Sequence, residues 1–316
     1  MWRERYGRYS STIDERSSME EKFKVGDTVL TPRRYLSWSE VSTWLHCQWA
    51  HRFHYAEGLS GKGPAGMDLQ MGGAAHEILR AHFAVAPENR SSKALQKAAG
   101  KAYASLDMTA DKYHYLRENQ LYDYAGNIWK TWGADEEMSQ MVVETPLEAD
   151  APSSDAGELR SYYCIPDGFH VDEISRVGTI VSHKTSLSKL PDNHSLLMFH
   201  PQARLEAWAM WEVFQVQYVA IYFNLLTPKE VERTGPWYYT EETHRRTTED
   251  LKHMFTQVGR VDIIPRPSPQ CWRCEYRKVH EDIGAGIPWG TAVQDWRDAV
   301  QQYKEAAYGE EGEYSW

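Results

Sequence analysis

An acidic residue on one predicted strand and a lysine at the end of the next give the strongest chemical signal in the sequence. Asp172 lies within residues 171–174, and Lys184 lies near the end of residues 180–186. Carboxylates hold Mg²⁺, which binds oxygen ligands and keeps several waters. The metal lowers the pKa of a bound water, and a lysine positions that water or neutralises developing charge. The pair predicts phosphodiester hydrolysis; the alternative is a surface hairpin with a solvated lysine.

Two flanking segments carry further polar residues of the same kind. His76 follows Gly72-Gly73 in the first turn of a predicted helix. Gln202 and Glu206 are four residues apart, so they share one face of a later helix. Alone, such a histidine is more often structural, and such a pair is more often a solvated stripe. The informative feature is the order His, Asp, Lys, Gln along the chain.

Cysteines form a second group of candidate ligands. Cys271 and Cys274 make a C-x₂-C pair on a proline-bounded loop, and His280 follows after five intervening residues. Thiolates bind iron–sulfur clusters, and three cysteines with one histidine also make a tetrahedral zinc site. The alternative is a loop with two unrelated cysteines. Cys164 lies in a strand pattern and is predicted to belong to the core.

The predicted secondary structure that positions these residues is helical in the first part of the chain and mixed from about residue 142 onwards. A capping box at Ser37 and Glu40 starts a helix that Gly58 ends. Further helices are predicted over about 74–84, within 92–135, and over about 201–214 and 240–258. Strands are predicted at 142–143, 160–165, 170–175, 179–183 and 216–226. This order predicts an α/β or α+β fold with a mixed central sheet.

Composition limits the class of protein. The chain has 316 residues, a hydrophobic content of 41% and a net charge of −10. The longest near-apolar run, residues 216–226, is shorter than the ~18 residues that span a bilayer. Four cysteines are too few for a disulfide scaffold, and the start does not resemble a signal peptide. We therefore expect a cytoplasmic protein with no membrane partner. An acidic balance is untypical of nucleic-acid binders, but a nuclease concentrates acids in its site.

The segments from Ser37 to about His280 resemble the RecB-family branch of the PD-(D/E)XK nucleases, including the CRISPR-associated and phage iron–sulfur exonucleases. The resemblance implies an α/β restriction-endonuclease-like core with a mixed sheet, an N-terminal helical insertion and a C-terminal Cys-rich clamp. The expected boundaries are a helical region at 31–140, a core at 141–262 and the clamp and last helix at 263–308. Composition adds a polar, mobile arm at 1–30 and an acidic tail at 309–316.

The same resemblance implies roles for the polar residues. Asp172 corresponds to the first metal-binding acid, and His76 corresponds to a further metal ligand. Lys184 corresponds to the lysine that orients the nucleophilic water. Gln202 begins the helix whose glutamine positions the water or the phosphate. The implied cofactor is Mg²⁺ or Mn²⁺.

Two positions depart from the family pattern. Ser182 stands two residues before the lysine, where the family has Asp or Glu, and Glu206 stands where it has Tyr. Glu206 supplies the missing carboxylate, or Ser182 is an engineered substitution, or the chain is a natural inactive relative. Asp172 is itself irregular, because Gly168 lies four residues before it and the family usually has three. Asp167 is the reserve candidate for the first acid.

The family's cluster pattern is one Cys in the opening helix and C-x₂-C-x₅-C near the end. Cys47, Cys271 and Cys274 fit this pattern, and His280 takes the last position. The resemblance implies a 4Fe–4S cluster, with Zn²⁺ as the alternative. Such a site would tie the opening helix to the C-terminal loop and would contribute to folding.

The resulting hypothesis is a Mg²⁺- or Mn²⁺-dependent deoxyribonuclease, more specifically an exonuclease, in DNA recombination, repair or phage DNA processing. Its partners would be DNA and recombination or repair proteins. The alternatives are an inactive DNA-binding or partner-binding relative and a metal-clamped interaction module that never touches nucleic acid. Basic candidates for DNA contact are Arg33, Arg34, His51, Arg52, Lys62, Arg273, Arg277 and Lys278.

Overall fold

The structure is a computed structural model, and it describes residues 23–25, 28–30, 35–59, 67–106, 114–133, 141–152, 161–186, 197, 200–258 and 274–308. Several predicted site residues lie outside these ranges, namely Arg33, Arg34, Lys62, Cys271 and Arg273. In the described part of the chain, no helix is long and apolar enough to cross a membrane.

The helices are α1 (Trp38–His46), α2 (Gln48–His51), α3 (Met67–Phe83), α4 (Ser92–Ala104), α5 (His114–Trp132), α6 (Pro201–Phe214), α7 (Glu241–Val258), α8 (Arg277–Gly284) and α9 (Trp289–Tyr308). A π-helical turn, Arg52–Ala56, follows α2, and a short 3₁₀ turn, Pro87–Asn89, precedes α4.

The strands are β1 (Phe23–Val25), β2 (Thr28–Leu30), β3 (Tyr35–Ser37), β4 (Val142–Val143), β5 (Leu147–Asp150), β6 (Ser161–Cys164), β7 (Gly168–Asp172), β8 (Val177–Thr185), β9 (Tyr218–Leu226) and β10 (Val231–Tyr239). They form a two-stranded pair β1-β2, a five-stranded sheet β10-β9-β8-β7-β4 and a three-stranded sheet β3-β6-β5.

The five-stranded sheet is mixed, as the sequence predicts. β8 pairs antiparallel with β7 and parallel with β9, and β10 returns antiparallel along β9. β9 is almost wholly buried, which fits its run of β-branched and aromatic residues. The mixed sheet with helices on both faces confirms the predicted α/β class.

Alternate residues of β8 enter two different cores. Ile180 belongs to a cluster that α6 covers with residues such as Ala203 and Leu205. Val181 belongs to the second cluster, which α3, α4 and α5 form on the opposite face. Because side chains alternate along a strand, Ser182 continues the face that packs against α6.

A third core joins segments that are distant in the chain. Phe53 and Leu59, which follow α2, pack with Tyr276, Val279 of α8 and Trp296 of α9. The hydroxyl of Tyr276 donates to the carbonyl of Leu59 at 3.0 Å. The N-terminal helices are therefore held to the C-terminal helices by an aromatic and aliphatic core.

Three features differ from the expected elements. The opening helix is interrupted at Cys47, whose backbone is extended and whose sulfur accepts a hydrogen bond from the Ala50 amide at 3.5 Å. α3 begins at Met67 rather than at residue 74. β10 was not predicted, because Gly235 and Pro236 interrupt its pattern, and the register shifts between Thr234 and Trp237.

Short strands were also missed. β1 and β2 lie within the segment that was predicted to be a polar arm, and β3 and β5 were assigned to no strand. β3 and β5 are three and four residues long, so neither shows a sustained alternation. They gain their strand conformation by pairing with β6.

Candidate active site

The register of the β7–β8 hairpin determines which acid meets the lysine strand. The last pair on that side of the ladder is Gly168 with Val181. One residue further along each strand, Asp167 and Ser182 are therefore neighbours. Lys184 lies two residues beyond Ser182 on the same face of β8. Asp167, the reserve candidate, thus occupies the end of the sheet that carries Ser182 and Lys184.

Asp167 is fixed by two donors from different elements. His76 Nδ1 of α3 lies 3.1 Å from Oδ1, and the backbone amide of His183 donates to Oδ2 at 2.6 Å. Burial alone would raise the pKa of Asp167, but the hydrogen bond with His76 and the nearby His183 outweigh it. The pKa therefore lies well below its usual range, and the carboxylate is ionised at neutral pH.

α3 can approach β8 closely because Gly72 has no side chain. A Cβ at Gly72 would lie 3.1 Å from the hydroxyl oxygen of Thr185, next to Lys184. His76 follows one helical turn later on the same side of α3. The glycine therefore accounts for the close contact that brings the His76 imidazole to Asp167.

A chain of hydrogen bonds connects β8 to α6. Lys184 Nζ donates to Gln202 Oε1 at 3.0 Å, and Gln202 Nε2 donates to Glu206 Oε1 at 2.8 Å. The i, i+4 spacing that the sequence shows places Gln202 and Glu206 on the face of α6 that meets β8. The structure therefore brings Lys184, Gln202 and Glu206 together.

Glu206 is buried and close enough to Asp167 to feel its charge. Burial is the largest cause, followed by the charge of Asp167, and together they raise the pKa of Glu206 to about 8. Lys184 and the Gln202 hydrogen bond oppose this shift without cancelling it. Its Oε2 atom is buried and has no hydrogen-bond partner among the described residues. Without a bound cation, Glu206 is therefore mostly protonated at neutral pH.

Ser182 is fully buried at the position where the family pattern has Asp or Glu. Its hydroxyl oxygen has no hydrogen-bond partner in the described part of the chain. A buried hydroxyl without a partner costs free energy. Ser182 is therefore a neutral hydroxyl at a buried position, without a hydrogen bond from the described residues.

Two further histidines, His183 and His200, lie beside the cluster of Asp167, Lys184 and Glu206. The ring of His183 stacks on Phe83 at 6.0 Å and meets His76 edge-on at 5.6 Å, and burial lowers its pKa to about 3. His200 immediately precedes α6, and burial and the charge of Lys184 lower its pKa to about 4. Both rings are therefore neutral at pH 7. Sequence reasoning proposed neither side chain.

Asp172 is not brought to this cluster. It pairs with Val177 at the opposite end of the hairpin, seven residues along β8 from Lys184. At about 3.3 Å per residue, this is roughly 23 Å. Its carboxylate is exposed and accepts hydrogen bonds from the turn residues Ile174 and Ser175. This placement corrects the expectation for Asp172, since its geometry is that of a turn residue.

The side chains of this cluster are of the types that bind a divalent cation, although they do not surround one common position. Among the described residues, no group of three or more His, Cys, Asp or Glu side chains converges on one metal position. The pair Asp167–His76 supplies an ionised carboxylate and an imidazole. The unpartnered Oε2 of Glu206 and hydroxyl of Ser182 are oxygen atoms of the type that Mg²⁺ prefers.

The predicted cysteine site lies in a different region. Cys47, Cys274 and His280 are described, but they do not form a metal-binding group, and Cys271 lies outside the described residues. The ring of His280 packs edge-on against Trp49 at 4.3 Å. Burial lowers the pKa of His280. In the described residues, this histidine thus packs against aromatic side chains of the third core.

The described basic candidates have intramolecular partners. His51 is buried and pairs with Glu40 at 2.9 Å, so it is not on a contact surface. Arg52 lies over the Trp289 ring at 4.0 Å. The other two, Arg277 and Lys278, form exposed ion pairs with Glu281 and Asp282.

Comparison with known proteins identifies the family of the chain. The sequence model of the PD-(D/E)XK nuclease superfamily matches residues 35–279, which is most of the chain. No curated protein matches the chain.

Two solved structures are similar at low identity. A candidate exonuclease from Eubacterium rectale has 11% identity and a TM-score of 0.48, over 77% of this chain and 88% of that one. The protein SSO0001 has 13% identity and a TM-score of 0.31, over 66% of this chain and 92% of that one.

The family description also shows which signal was overlooked. The letters PD stand for a Pro-Asp pair, and the chain has Pro166-Asp167 immediately before β7. Lys184, two residues after Ser182, stands where the sequence analysis expects the lysine of the same pattern. The dipeptide would have favoured Asp167 over Asp172 without any structure.

Proposed function

Because the chain belongs to the PD-(D/E)XK nuclease superfamily, we propose that it is a nuclease that hydrolyses DNA with Mg²⁺ or Mn²⁺. One observation carries the proposal. Asp167 with His76, and Lys184 with Gln202 and Glu206, lie at the same end of the central sheet. This combination provides an ionised carboxylate, a cationic amine and a buried acid beside one another.

Each of these residues would have a separate role in hydrolysis. A bound divalent cation would polarise the phosphate and acidify a water. Asp167 would hold the cation, and His76 keeps that carboxylate ionised and oriented. Lys184 would hold the attacking water or stabilise charge on the phosphate. Gln202 positions this lysine, because its Oε1 atom accepts a hydrogen bond from Lys184 Nζ at 3.0 Å.

Glu206 is the residue that we propose for the missing acid. Its unpartnered Oε2 and the influence of Asp167 on its pKa support a position close to the same cation. A cation would make ionisation of Glu206 favourable, because two carboxylates that share a site repel each other until a positive charge lies between them. Ser182 leaves room for this arrangement, because its side chain is small and uncharged.

We further propose exonucleolytic action in DNA recombination, repair or phage DNA processing, with proteins of those processes as partners. These details rest on the motif resemblance around Ser37, His76 and Lys184. The branch that the motifs resemble is the RecB-like one, with its CRISPR-associated and phage members.

A second function is favoured by one observation, the neutral Ser182. If Glu206 does not replace the acid, the site lacks a principal negative charge. The chain would then bind DNA without cutting it, since fold does not guarantee activity. An engineered loss of the acid and a natural one predict the same behaviour for the protein as it stands.

The test is cleavage of end-labelled linear DNA with Mg²⁺, Mn²⁺ or EDTA. We expect turnover with either metal and none with EDTA. Lys184→Ala should reduce the rate by about 10²–10⁴-fold. Lys252→Ala is the matched control, because that lysine is exposed and forms an ion pair with Glu249 on α7. Circular DNA that survives while linear DNA is degraded would support exonuclease action.

Metal-dependent turnover that Lys184→Ala leaves unchanged would contradict the proposed site. DNA binding without turnover in any metal would favour the second function. Failure to bind DNA at low salt would leave the third hypothesis, an interaction module.

A 4Fe–4S cluster, or Zn²⁺ as the alternative, remains part of the proposal for the C-terminal region. Its support is that the third core brings the Cys47 segment and the Cys274 segment together. The described ligands do not converge, so no chemical step is assigned to this group. Metal analysis of anaerobically purified protein tests it; absence of both iron and zinc would remove it.

A further inference from the structure

α3 meets a different strand of the central sheet at each of three successive turns. The sheet order places β8, β7 and β4 side by side. Three positions of α3, spaced four residues apart, lie on one side of the helix and face the ends of these strands. They are Gly72, His76 and Arg80, and they lie against Thr185, Asp167 and Glu144, in that order. α3 therefore crosses the sheet along the edge that carries the candidate site.

The third of these contacts is an ion pair that the proposed chemistry does not use. Arg80 Nε lies 3.2 Å from Glu144 Oε2, and Arg80 Nη2 donates to the carboxylate of Glu77 on the same helix. The Arg80 side chain is 47% exposed. Two carboxylates therefore fix the direction of the guanidinium and balance its charge, which disfavours a direct contact with a DNA phosphate.

The sheet places Glu144 directly beside Asp167. β4 and β7 are antiparallel, and Val143 pairs with Gly168, so the next step along both strands brings Glu144 opposite Asp167. Burial is the largest cause that raises the pKa of Glu144, and the charge of Asp167 raises it further, against the opposing charge of Arg80. The carboxylate that Arg80 holds is therefore a neighbour of the carboxylate that His76 holds.

The ion pair thus joins the same two parts of the fold as the contact between His76 and Asp167. It lies one helical turn further along α3, or about 6 Å, and one strand further across the sheet, or about 4.8 Å. A single contact leaves a helix free to rotate about it, whereas two separated contacts set its direction. An exposed ion pair adds little stability, so the alignment of α3 is its main physical consequence.

We infer that Arg80 and Glu144 are positioning residues that hold the His76 imidazole in line with the Asp167 carboxylate. The inference rests on the proposed function, in which Asp167 would hold the cation. Neither residue of the ion pair touches the substrate; both act through α3 and the edge strand β4. A misplacement of about 1 Å can cost on the order of 10²-fold in rate, so a small loss of alignment is measurable.

The first test needs neither a bound cation nor turnover. The ring resonances of His76 are followed by NMR in EDTA and are assigned by their absence in His76→Gln. Arg80→Gln and Glu144→Gln should each shift these resonances, because the imidazole moves relative to the Asp167 charge. Affinity for a fluorescent DNA hairpin in EDTA should change by less than about twofold, with the same salt slope, since no phosphate contact is lost.

The second test measures the rate of DNA cleavage at saturating Mg²⁺. Arg80→Gln should lower kcat by about tenfold and leave KM for DNA within about twofold. Arg80→Lys should retain most of the activity, because the ammonium still provides a charge for Glu144. Arg80→Glu should lose at least as much as Arg80→Gln. Exchange of the two charges, in the double variant with Arg80→Glu and Glu144→Arg, should restore most of that loss.

A matched control lies on α7. Arg245 and Glu242 also form an exposed ion pair, at 3.0 Å, on a helix that packs against α6. Arg245→Gln removes the same kind of charge from the same kind of surface. It should leave the His76 resonances and the cleavage rate unchanged.

Each outcome decides the inference. Unshifted His76 resonances in Arg80→Gln, or a cleavage rate equal to that of the starting protein, would overturn it. A fall in DNA affinity with a smaller salt slope would overturn it in favour of a phosphate contact by Arg80. A charge exchange that recovers no activity, together with Arg80→Lys as slow as Arg80→Gln, would also overturn it.

Two further results keep this inference separate from the proposed function. If the exchanged variant does not fold, Arg80→Lys and Arg80→Gln still decide the question. A starting protein that neither binds nor cleaves DNA means that the proposed function has failed, and the His76 resonances in EDTA then still test the positioning. Normal cleavage by the starting protein with unshifted resonances in Arg80→Gln rejects the positioning role alone.

Discussion

The two ends of the β7–β8 hairpin each carry an aspartate, in opposite environments. Asp167 is buried between His76 of α3 and the backbone of β8. Asp172, five residues later, is exposed and accepts hydrogen bonds from residues of its own turn. Helices α3 and α6 pack against β8, and His76 and Gln202 reach the Asp167 end, so the surroundings rather than the residue type create the difference.

The causes of the two low pKa values show the same contrast. The Ser175 hydroxyl and turn amides lower the pKa of Asp172. Burial opposes the shift at Asp167, which is nevertheless large because His76 and His183 stabilise the ionised form. A low carboxylate pKa alone therefore does not identify an active site. What distinguishes Asp167 is that the groups that stabilise its charge come from other elements of the fold.

The largest expected effect separates these two aspartates directly. Asp167→Asn should reduce metal-dependent cleavage by on the order of 10³-fold, because it removes the charge that would hold the cation. Asp172→Asn should change the rate by less than about threefold. Both rates are measured on linear DNA with saturating Mg²⁺. A greater loss in Asp172→Asn than in Asp167→Asn would reverse the assignment.

Much of the site could be predicted because its residues follow local rules. Gln202 and Glu206 share a helix face by spacing, and Lys184 ends a strand that hydrophobic pattern and turn residues define. His76 could be placed beside them only through the motif order, since its contact with Asp167 joins elements some ninety residues apart.

The choice of acid could not be made from spacing alone. It depends on the pairing of Gly168 with Val181, and a strand's register is set by tertiary packing. The break at Cys47 was missed for a similar reason. The apolar period of the opening helix continues through it, whereas the structure bends there and packs Phe53 into the third core.

The second expected effect concerns the acid itself. If Glu206 has replaced it, Glu206→Gln should abolish cleavage about as fully as Lys184→Ala, and Ser182→Asp should leave activity similar or lower. If the acid is simply missing, Ser182→Asp should instead raise activity by orders of magnitude. Cleavage by these variants beside the starting protein decides the matter. Strong activity in Glu206→Gln would rule out Glu206 as the replacement.

A smaller effect should appear in stability against pH. Glu206 has a folded-state pKa of about 8, above that of an unfolded glutamate near 4.5. The native state then holds a proton that the unfolded state has lost, so stability falls as pH rises from about 5 to 8. The slope is at most ~1.4 kcal/mol per pH unit. Glu206→Gln should remove this contribution when both proteins are unfolded in urea with EDTA.

Saturating Mg²⁺ offers a control for that measurement. A cation that binds the ionised carboxylate should reduce the pH dependence of the starting protein and leave that of Glu206→Gln unchanged. Identical pH profiles for the two proteins in EDTA would show that Glu206 is not protonated in the native state.

The smallest expected effect lies at the other end of the hairpin. Asp172 accepts bonds from the Ile174 amide at 2.9 Å and from the Ser175 hydroxyl at 2.7 Å. Asp172→Ala should lower the melting temperature by roughly 1–3 °C at pH 7 without changing cleavage. Because the folded-state pKa of Asp172 is lowered, this stabilisation is present above pH 4 and is lost as the pH falls through that pKa. The difference in melting temperature between Asp172→Ala and the starting protein should therefore shrink by pH 3, and Ser175→Ala should show part of the same decrease.

A loss of cleavage in Asp172→Ala with an unchanged melting temperature would mean that this aspartate is functional, and the contrast between the two ends of the hairpin would fail.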